Sequence, residues 1–179
     1  MPWTRPLRDV TLDDVASVGG KNASLGEMLR ELVPLGVRVP DGFAVTADAY
    51  RALMRESRVD AFVRDELASL RPGNIEELTR CSDRIRAAIA RAPLPQAIAT
   101  EISRAYAALS RQYGEDATDV AVRSSATAED LPEASFAGAV VLRTEAKSRI
   151  DARSTKRLIS LAIMCIPTMW RVPIASPRL

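Results

Sequence analysis

Apolar residues recur every three or four positions along much of the chain, the spacing that lines one face of an α-helix. The first run predicts a helix over residues 22–33, ended by Pro34 and Gly36. Thr46 has a hydroxyl suited to capping a second helix, and Asn74 with Glu77 resembles a capping box that opens another. The later runs predict helices over residues 47–56, 59–70, 74–92 and 98–114.

The apolar stripes of these helices are typical of core packing rather than of a cofactor site. Each stripe collects the residues expected to be buried on one helix. Their members are Val59, Phe62, Val63, Leu67 and Leu70, then Ile75, Leu78, Cys81, Ile85 and Ile89, then Ile98, Ile102, Ala105, Tyr106 and Leu109.

Short β-prone runs interrupt the helical pattern. Residues 37–39 and 43–45 flank the turn residues Pro40 to Gly42, and residues 120–122 form a third run. Helices segregated from a few short strands predict a helix-rich α+β fold with the chemistry on its loops.

Composition narrows the possible functions. The 179 residues suffice for one domain, and the absence of histidine excludes a Ser-His-Asp triad, an imidazole metal ligand and a phosphohistidine within this chain. Cys81 and Cys165 are too far apart in sequence for a CxxC site, which favours a reducing, cytoplasmic location. The start of the chain lacks the apolar run of a secretory signal, and the run over residues 158–166 is too short to span a membrane.

Charge is distributed unevenly along the chain. Residues 139–179 carry a net +6 and residues 1–138 a net −4. A basic tail of this kind can mark a nucleic-acid or membrane partner, although the total of only +2 indicates neither. We expect no nucleic-acid and no membrane partner.

Gly19, Gly20 and Lys21 stand immediately before the first predicted helix. Glycines allow close backbone approach to a ligand, and the amides of a helix start favour anions, to which a lysine adds charge. The run is not a P-loop, because Val15 replaces its first glycine and Asn22 replaces its hydroxyl residue. From the residues alone, a glycine turn with a solvated lysine is the favoured interpretation.

Arg123 follows the last β-prone run, with hydroxyls at Ser124, Ser125 and Thr127. An arginine fork with hydroxyls and loop amides can bind phosphate oxygens. The alternative is an ion pair between Arg123 and an acidic neighbour, for which the candidates are Asp119, Glu129 and Asp130. Glu129, Asp130 and Glu133 could also suggest a metal site, but loop acids are usually solvated, so no metal ligand is assigned.

Three segments in order resemble one family: VGGKNASLGEM (18–28), VPDGFAVTADAY (39–50) and AVRSSATAEDLPEASFAG (121–138). Together they are similar to the N-terminal nucleotide-binding domain of phosphoenolpyruvate synthases, also called pyruvate, water dikinases. The resemblance implies part of an ATP-grasp-like domain that binds ATP. It also implies that Lys21 and Arg123 match the family's phosphate-binding residues and that Gly138 lies against the nucleotide.

The same resemblance implies a larger reaction. In the family, ATP phosphorylates a histidine on a separate domain, and a third domain passes the group to pyruvate with Mg²⁺, giving phosphoenolpyruvate, AMP and phosphate. We expect pyruvate to bind only through domains that this sequence lacks, and the Mg²⁺ ligands to be absent as well. No catalytic residue is therefore assigned, and the chain alone is expected to be inactive.

The resemblance weakens from position 139 onwards. At position 142, for example, Leu142 occupies the place of a hydroxyl residue that touches the nucleotide in relatives. Because the charge changes at the same point, we divide the chain into residues 1–138, the family segment, and residues 139–179, a divergent basic tail compatible with a frameshifted or truncated gene. Alternatives are a relative of rifampicin phosphotransferase or of pyruvate, phosphate dikinase, or a binding module without enzymatic activity.

Overall fold

A computed structural model describes residues 2–70, 74–125, 127, 147–148 and 163–167 of the chain. Short 3₁₀ turns precede and follow the first pair of helices, at Leu7–Asp9, Leu12–Asp14 and Val33–Leu35. The described residues contain these α-helices: α1 Val15–Val18, α2 Gly20–Leu32, α3 Ala47–Glu56, α4 Val59–Ala68, α5 Ile75–Arg91 and α6 Gln96–Gln112.

The described residues contain these strands: β1 Thr4–Pro6, β2 Phe43–Val45, β3 Val120–Ser124, β4 Lys147–Ser148 and β5 Ile163–Pro167. They form one sheet in the order β1, β2, β5, β3, β4, and every neighbouring pair is antiparallel. Strand β5 lies between β2 and β3, so residues 163–167 join the two halves of the sheet. The helix-rich α+β class predicted from the sequence is confirmed.

Strand β1 lies at one edge of the sheet and contacts helix α6. The amide of Thr46 donates to the carbonyl of Trp3 at 2.9 Å, which continues the pairing of β1 with β2. On the opposite side of β1, Oε1 of Glu101 accepts the amide of Thr4 at 2.6 Å and its hydroxyl at 3.1 Å. The α6 carboxylate therefore ties this helix to the sheet.

The core has two parts, one on each face of β2. Phe43 and Val45 belong to the larger cluster with the buried residues of α3 and α6, whereas Ala44 belongs to a smaller cluster with the buried residues of α2 and its preceding turns. Alternation of side chains along a strand explains this division. The larger cluster includes Ile98, Ile102, Tyr106 and Leu109, and the smaller includes Leu7, Val10, Val18 and Ala23.

Thr46 and Asn74 both cap their helices as predicted, but Glu77 does not return a bond to Asn74, so the predicted capping box is only half formed. The Thr46 hydroxyl accepts the amide of Ala49 at 3.4 Å, and Asn74 Oδ1 accepts the amide of Glu77 at 3.0 Å. These contacts satisfy amides in the first turn of each helix that have no acceptor within the helix. Each cap is encoded within four residues, which explains why it could be predicted.

Some predictions from local pattern are wrong. Residues 37–39 form no strand: Val37 is 48% exposed, and its amide donates to the carbonyl of Leu32, which completes the end of the helical segment. Ile75 and Leu78, predicted to be buried, are 78% and 52% exposed. A further two stripe residues on α4 are also exposed, namely Phe62 and Leu67. A β-prone or apolar run is buried only where another element covers it.

The boundary proposed at residues 138 and 139 lies outside the described residues, as do Leu142 and the loop acids at 129, 130 and 133. None of the helices in the described ranges has both the length and the apolar character needed to span a bilayer.

Candidate functional site

The Gly19 to Lys21 run forms a sharp break between two helices. Gly19 has φ 81° and ψ 158°, a backbone conformation that strongly favours glycine. Its amide donates to the Val15 carbonyl at 2.8 Å, closing α1, and its carbonyl accepts the amide of Ala23 at 3.1 Å, opening α2. The first amides of α2 have no acceptor within the helix, so this end of the helix favours an anion.

Lys21 is exposed, while Gly20 before it and Asn22 after it are buried. Asn22 is fully buried, and its Nδ2 donates to the carbonyl of Val18 at 2.6 Å. Its Oδ1 has no hydrogen-bond partner among the described residues. The side-chain amide therefore bridges the end of α1 and the start of α2, a role that sequence reasoning missed because it weighed Asn22 only as a replacement for a P-loop hydroxyl.

Helix α2 is held against the turns that precede it by close backbone contact. Gly26, in the middle of α2, is buried, and a Cβ built on it would lie 2.8 Å from the carbonyl oxygen of Leu7 and closer still to that of Val10. Only a residue without a side chain fits there. This contact, which the sequence does not signal, sets the position of the helix that carries Lys21.

Asp14 organises the turn just before α1. Its Oδ2 accepts the amide of Thr11 at 2.9 Å and the Thr11 hydroxyl at 3.1 Å, and its Oδ1 pairs with Arg5. The hydrogen bond from the Thr11 amide is the main reason that the pKa of Asp14 lies below its usual value.

We expect Asp14→Asn to lower the free energy of unfolding by about 1 kcal/mol at pH 7, because the charge-assisted bonds are weakened. A folded-state pKa below the unfolded one stabilises the protein above about pH 4 and loses this effect as pH falls through the folded pKa. The difference between wild type and variant should therefore shrink in urea unfolding at pH 3. Asp13→Asn, at the exposed neighbouring position, is the matched control. An equal difference at both pH values would contradict the assignment.

Arg123 is the fourth residue of β3, opposite Met164 of β5 in the register of the sheet, and its side chain is exposed. Among the described residues, none forms a hydrogen bond or ion pair with its guanidinium. The alternative pairing with Asp119 is therefore absent, whereas Glu129 and Asp130 lie outside the described residues. Arg123 presents its fork to solvent, where an anion can reach it.

Ser125, directly after β3, is 1% exposed, and its Oγ has no hydrogen-bond partner among the described residues. At the other end of β3, Thr118 is anchored through its backbone: its carbonyl accepts the Tyr106 hydroxyl at 2.7 Å and its amide donates to Ser110 Oγ at 3.1 Å. The Thr118 hydroxyl itself lacks a partner. With Asn22 Oδ1, these are the buried side-chain atoms without a partner in the described part of the chain.

Lys21 and Arg123 thus lie on separate elements, a helix start and a strand. Gly138 lies outside the described residues. No group of three or more metal-ligating side chains occurs among the residues that the structure describes. A helix start, a lysine and an arginine are each the kind of group that can bind an anion.

A cleft of about 470 Å³ lies elsewhere, between β1, the loop at Asp41 and Gly42, and helix α6. The buried Asp41 pairs with Arg8 and accepts from Gln112 Nε2 at 2.9 Å and from the Gly42 amide at 2.8 Å. Its carboxylate is thus already engaged by the protein and holds the turn before β2 in place. We assign the Asp41 cluster a structural role.

Comparison with known proteins identifies relatives of the chain. A family model described as pyruvate phosphate dikinase, AMP/ATP-binding domain, matches residues 15–149. Phosphoenolpyruvate synthases from Helicobacter pylori and Deinococcus radiodurans are each 46% identical to the chain over 138 residues. These alignments cover 77% of the chain but 17% of each relative. The synthase of Aquifex aeolicus is 46% identical over 132 residues, covering 74% of the chain and 15% of the relative.

Proposed function

Because the chain belongs to the pyruvate phosphate dikinase AMP/ATP-binding domain family, we propose that it binds the phosphates of ATP through Lys21 and Arg123. The observation that carries this proposal is the family match, whose range includes both residues. Two structural features support it. Lys21 lies in the first turn of a 13-residue helix that begins at a glycine break, and the exposed Arg123 has no partner among the described residues.

Lys21 and Arg123 would contact the phosphates in different ways. The planar guanidinium of Arg123 can donate two parallel hydrogen bonds to phosphate oxygens, whereas the Lys21 ammonium is a compact charge next to the amides of a helix start. Both compensate the negative charge of the phosphates and position them, which is the main protein contribution in phosphoryl transfer.

The finer fold assignment belongs to the same proposal. We infer that residues 1–138 form part of an ATP-grasp-like domain in which Gly138 lies against the nucleotide. Mg²⁺, which the resemblance implies for the family, has no cluster of three or more suitable ligands among the described residues. The contacts proposed for Lys21 and Arg123 involve the nucleotide alone.

For an enzyme that contains this segment together with the remaining length of the relatives, we propose the phosphoenolpyruvate synthase reaction. In this reaction ATP, pyruvate and water give phosphoenolpyruvate, AMP and phosphate. The names of the relatives favour this reaction over the rifampicin phosphotransferase type. The chain contains no histidine. The phosphohistidine carrier and the pyruvate site would therefore lie in other parts of such an enzyme, and this chain would supply ATP contacts.

We expect Arg123→Ala and Lys21→Ala each to weaken ATP binding about tenfold or more in isothermal titration, because each removes charge-assisted hydrogen bonds to phosphate. Arg111→Ala, which removes an exposed arginine on α6, is the matched control and should leave the affinity unchanged. The same titrations with adenosine, which has no phosphate, should not distinguish the variants.

Circular dichroism and thermal unfolding establish that each variant is folded before its affinity is compared. A folded wild-type chain that binds no ATP would refute the proposal. So would equal weakening by the Arg111 variant, since the effect would then reflect overall charge rather than a site.

A further inference from the structure

We propose that the hydroxyl of Ser125 donates a hydrogen bond to a phosphate oxygen of the nucleotide that Arg123 binds. This inference rests on the proposed function and adds a third side chain to the phosphate contacts. It concerns a residue whose environment, rather than its charge, points to a ligand.

The Ser125 hydroxyl lies in a closed environment. Ser125 is 1% exposed, and its Oγ has no hydrogen-bond partner among the described residues. A buried polar group without a partner is costly, and such groups are rare in native proteins unless a water or a ligand completes them. The Ser125 hydroxyl is therefore a donor whose acceptor comes from outside the described residues.

The Ser125 hydroxyl lies at the end of the strand that carries Arg123. Strand β3 ends at Ser124, and Ser125 follows directly. Arg123, two residues earlier in β3, is exposed, so a cation and this hydroxyl lie close together along the chain. The exposed guanidinium would bind the outer side of a phosphate group, and the buried hydroxyl would bind an oxygen nearer the protein.

The other end of the same strand differs in its charges. Thr118, before β3, also has a buried hydroxyl without a partner. Its backbone is held by Tyr106 and Ser110 of helix α6. The residue two positions before Thr118 is Asp116, whose carboxylate would repel a phosphate, and the residue two positions after it is the apolar Val120. Of the two unpartnered buried hydroxyls in the described part of the chain, the one on Ser125 therefore has a cation two residues away.

The test uses variants of the whole chain titrated with ATP, tripolyphosphate and adenosine. Ser125→Ala should weaken binding of ATP and of tripolyphosphate about tenfold while leaving adenosine binding unchanged. Its melting temperature without ligand should equal or exceed that of wild type, because the variant no longer buries an unsatisfied hydroxyl. Ser125→Cys, with a side chain of similar size and a weak donor, should also bind ATP less tightly.

Two controls separate this result from a structural effect. Thr118→Val removes the other unpartnered hydroxyl and should leave ATP affinity unchanged. Ser110→Ala removes a hydroxyl that accepts the Thr118 amide, so it should lower the melting temperature. A lowered melting temperature without ligand is therefore the result expected for a hydroxyl whose role is structural.

The outcomes are distinct. Unchanged ATP affinity in folded Ser125→Ala, together with loss of binding in Arg123→Ala, would overturn this inference and leave the proposed function intact. A lowered melting temperature without ligand in Ser125→Ala, as in Ser110→Ala, would assign the hydroxyl to a structural water and also overturn it. Failure of the folded wild type to bind ATP or tripolyphosphate would overturn both proposals.

Discussion

Gly26→Ala is expected to destabilise the protein by about 3 kcal/mol. This loss is expected even though alanine is about 1 kcal/mol more favourable than glycine in the interior of a helix. The new methyl group would meet the carbonyl oxygens of Leu7 and Val10. Backbone oxygens in a turn cannot rotate away as a flexible side chain can. Helix α2 would therefore have to move away from the preceding turns, together with Lys21.

Thermal unfolding checks this expectation, since 3 kcal/mol corresponds to a decrease of roughly 6 to 12 °C in melting temperature for a chain of this size. Gly36→Ala is an informative comparison. A Cβ at Gly36 would have no atom within 4 Å, but the residue has φ +82°, so only backbone strain of about 1 kcal/mol opposes the change there. If Gly26→Ala were as stable as wild type, the close contact of α2 with the turns would be refuted.

Ile102→Ala is expected to lower the free energy of unfolding by about 3 to 4 kcal/mol. Ile102 is fully buried on α6, in the larger core cluster with Phe43 and Val45 of the sheet. Its truncation removes apolar contacts and leaves a cavity between helix and strands that the surrounding backbone fills only in part.

Urea unfolding measures this loss, and two variants calibrate it. Ile102→Val removes one methylene and should cost about 1 kcal/mol, whereas Ser103→Ala, at the exposed next position, should stay within about 0.5 kcal/mol of wild type. A cost below about 1 kcal/mol for Ile102→Ala would show that α6 does not pack on the sheet as described.

Features determined within a few residues of sequence could be predicted. The caps at Thr46 and Asn74 depend on one side chain and an amide three residues later, and the stripe of α6 depends on helical spacing alone. The strand at 43–45 agrees with its β-prone pattern, because other elements cover it on both faces.

Features that depend on distant contacts could not be predicted. Residues 37–39 are as β-prone as 43–45, yet they have no pairing strand among the described residues. Ile75 follows the helical pattern but is exposed, since a pattern states which face is apolar and not whether another element covers it.

The candidate site shows the same division. Lys21 and Arg123 can be identified from motifs, and their assignment to ATP phosphates stays a prediction. The buried side chain of Asn22, the close contact at Gly26 and the unpartnered hydroxyl of Ser125 are evident only in three dimensions. Sequence reasoning therefore identifies charged candidate residues more readily than the neutral groups whose role depends on their surroundings.

The bond between Glu101 and Thr4 has a consequence for the behaviour of the protein in concentrated solution. An exposed strand edge invites pairing with other chains through its outward amides. On β1 the outward amide of Thr4 is already taken by the Glu101 carboxylate, and Pro6, the next outward position, has no amide hydrogen. This edge therefore offers no donor within Thr4–Pro6 to an incoming strand, which protects it against sheet extension and the aggregation that follows from it.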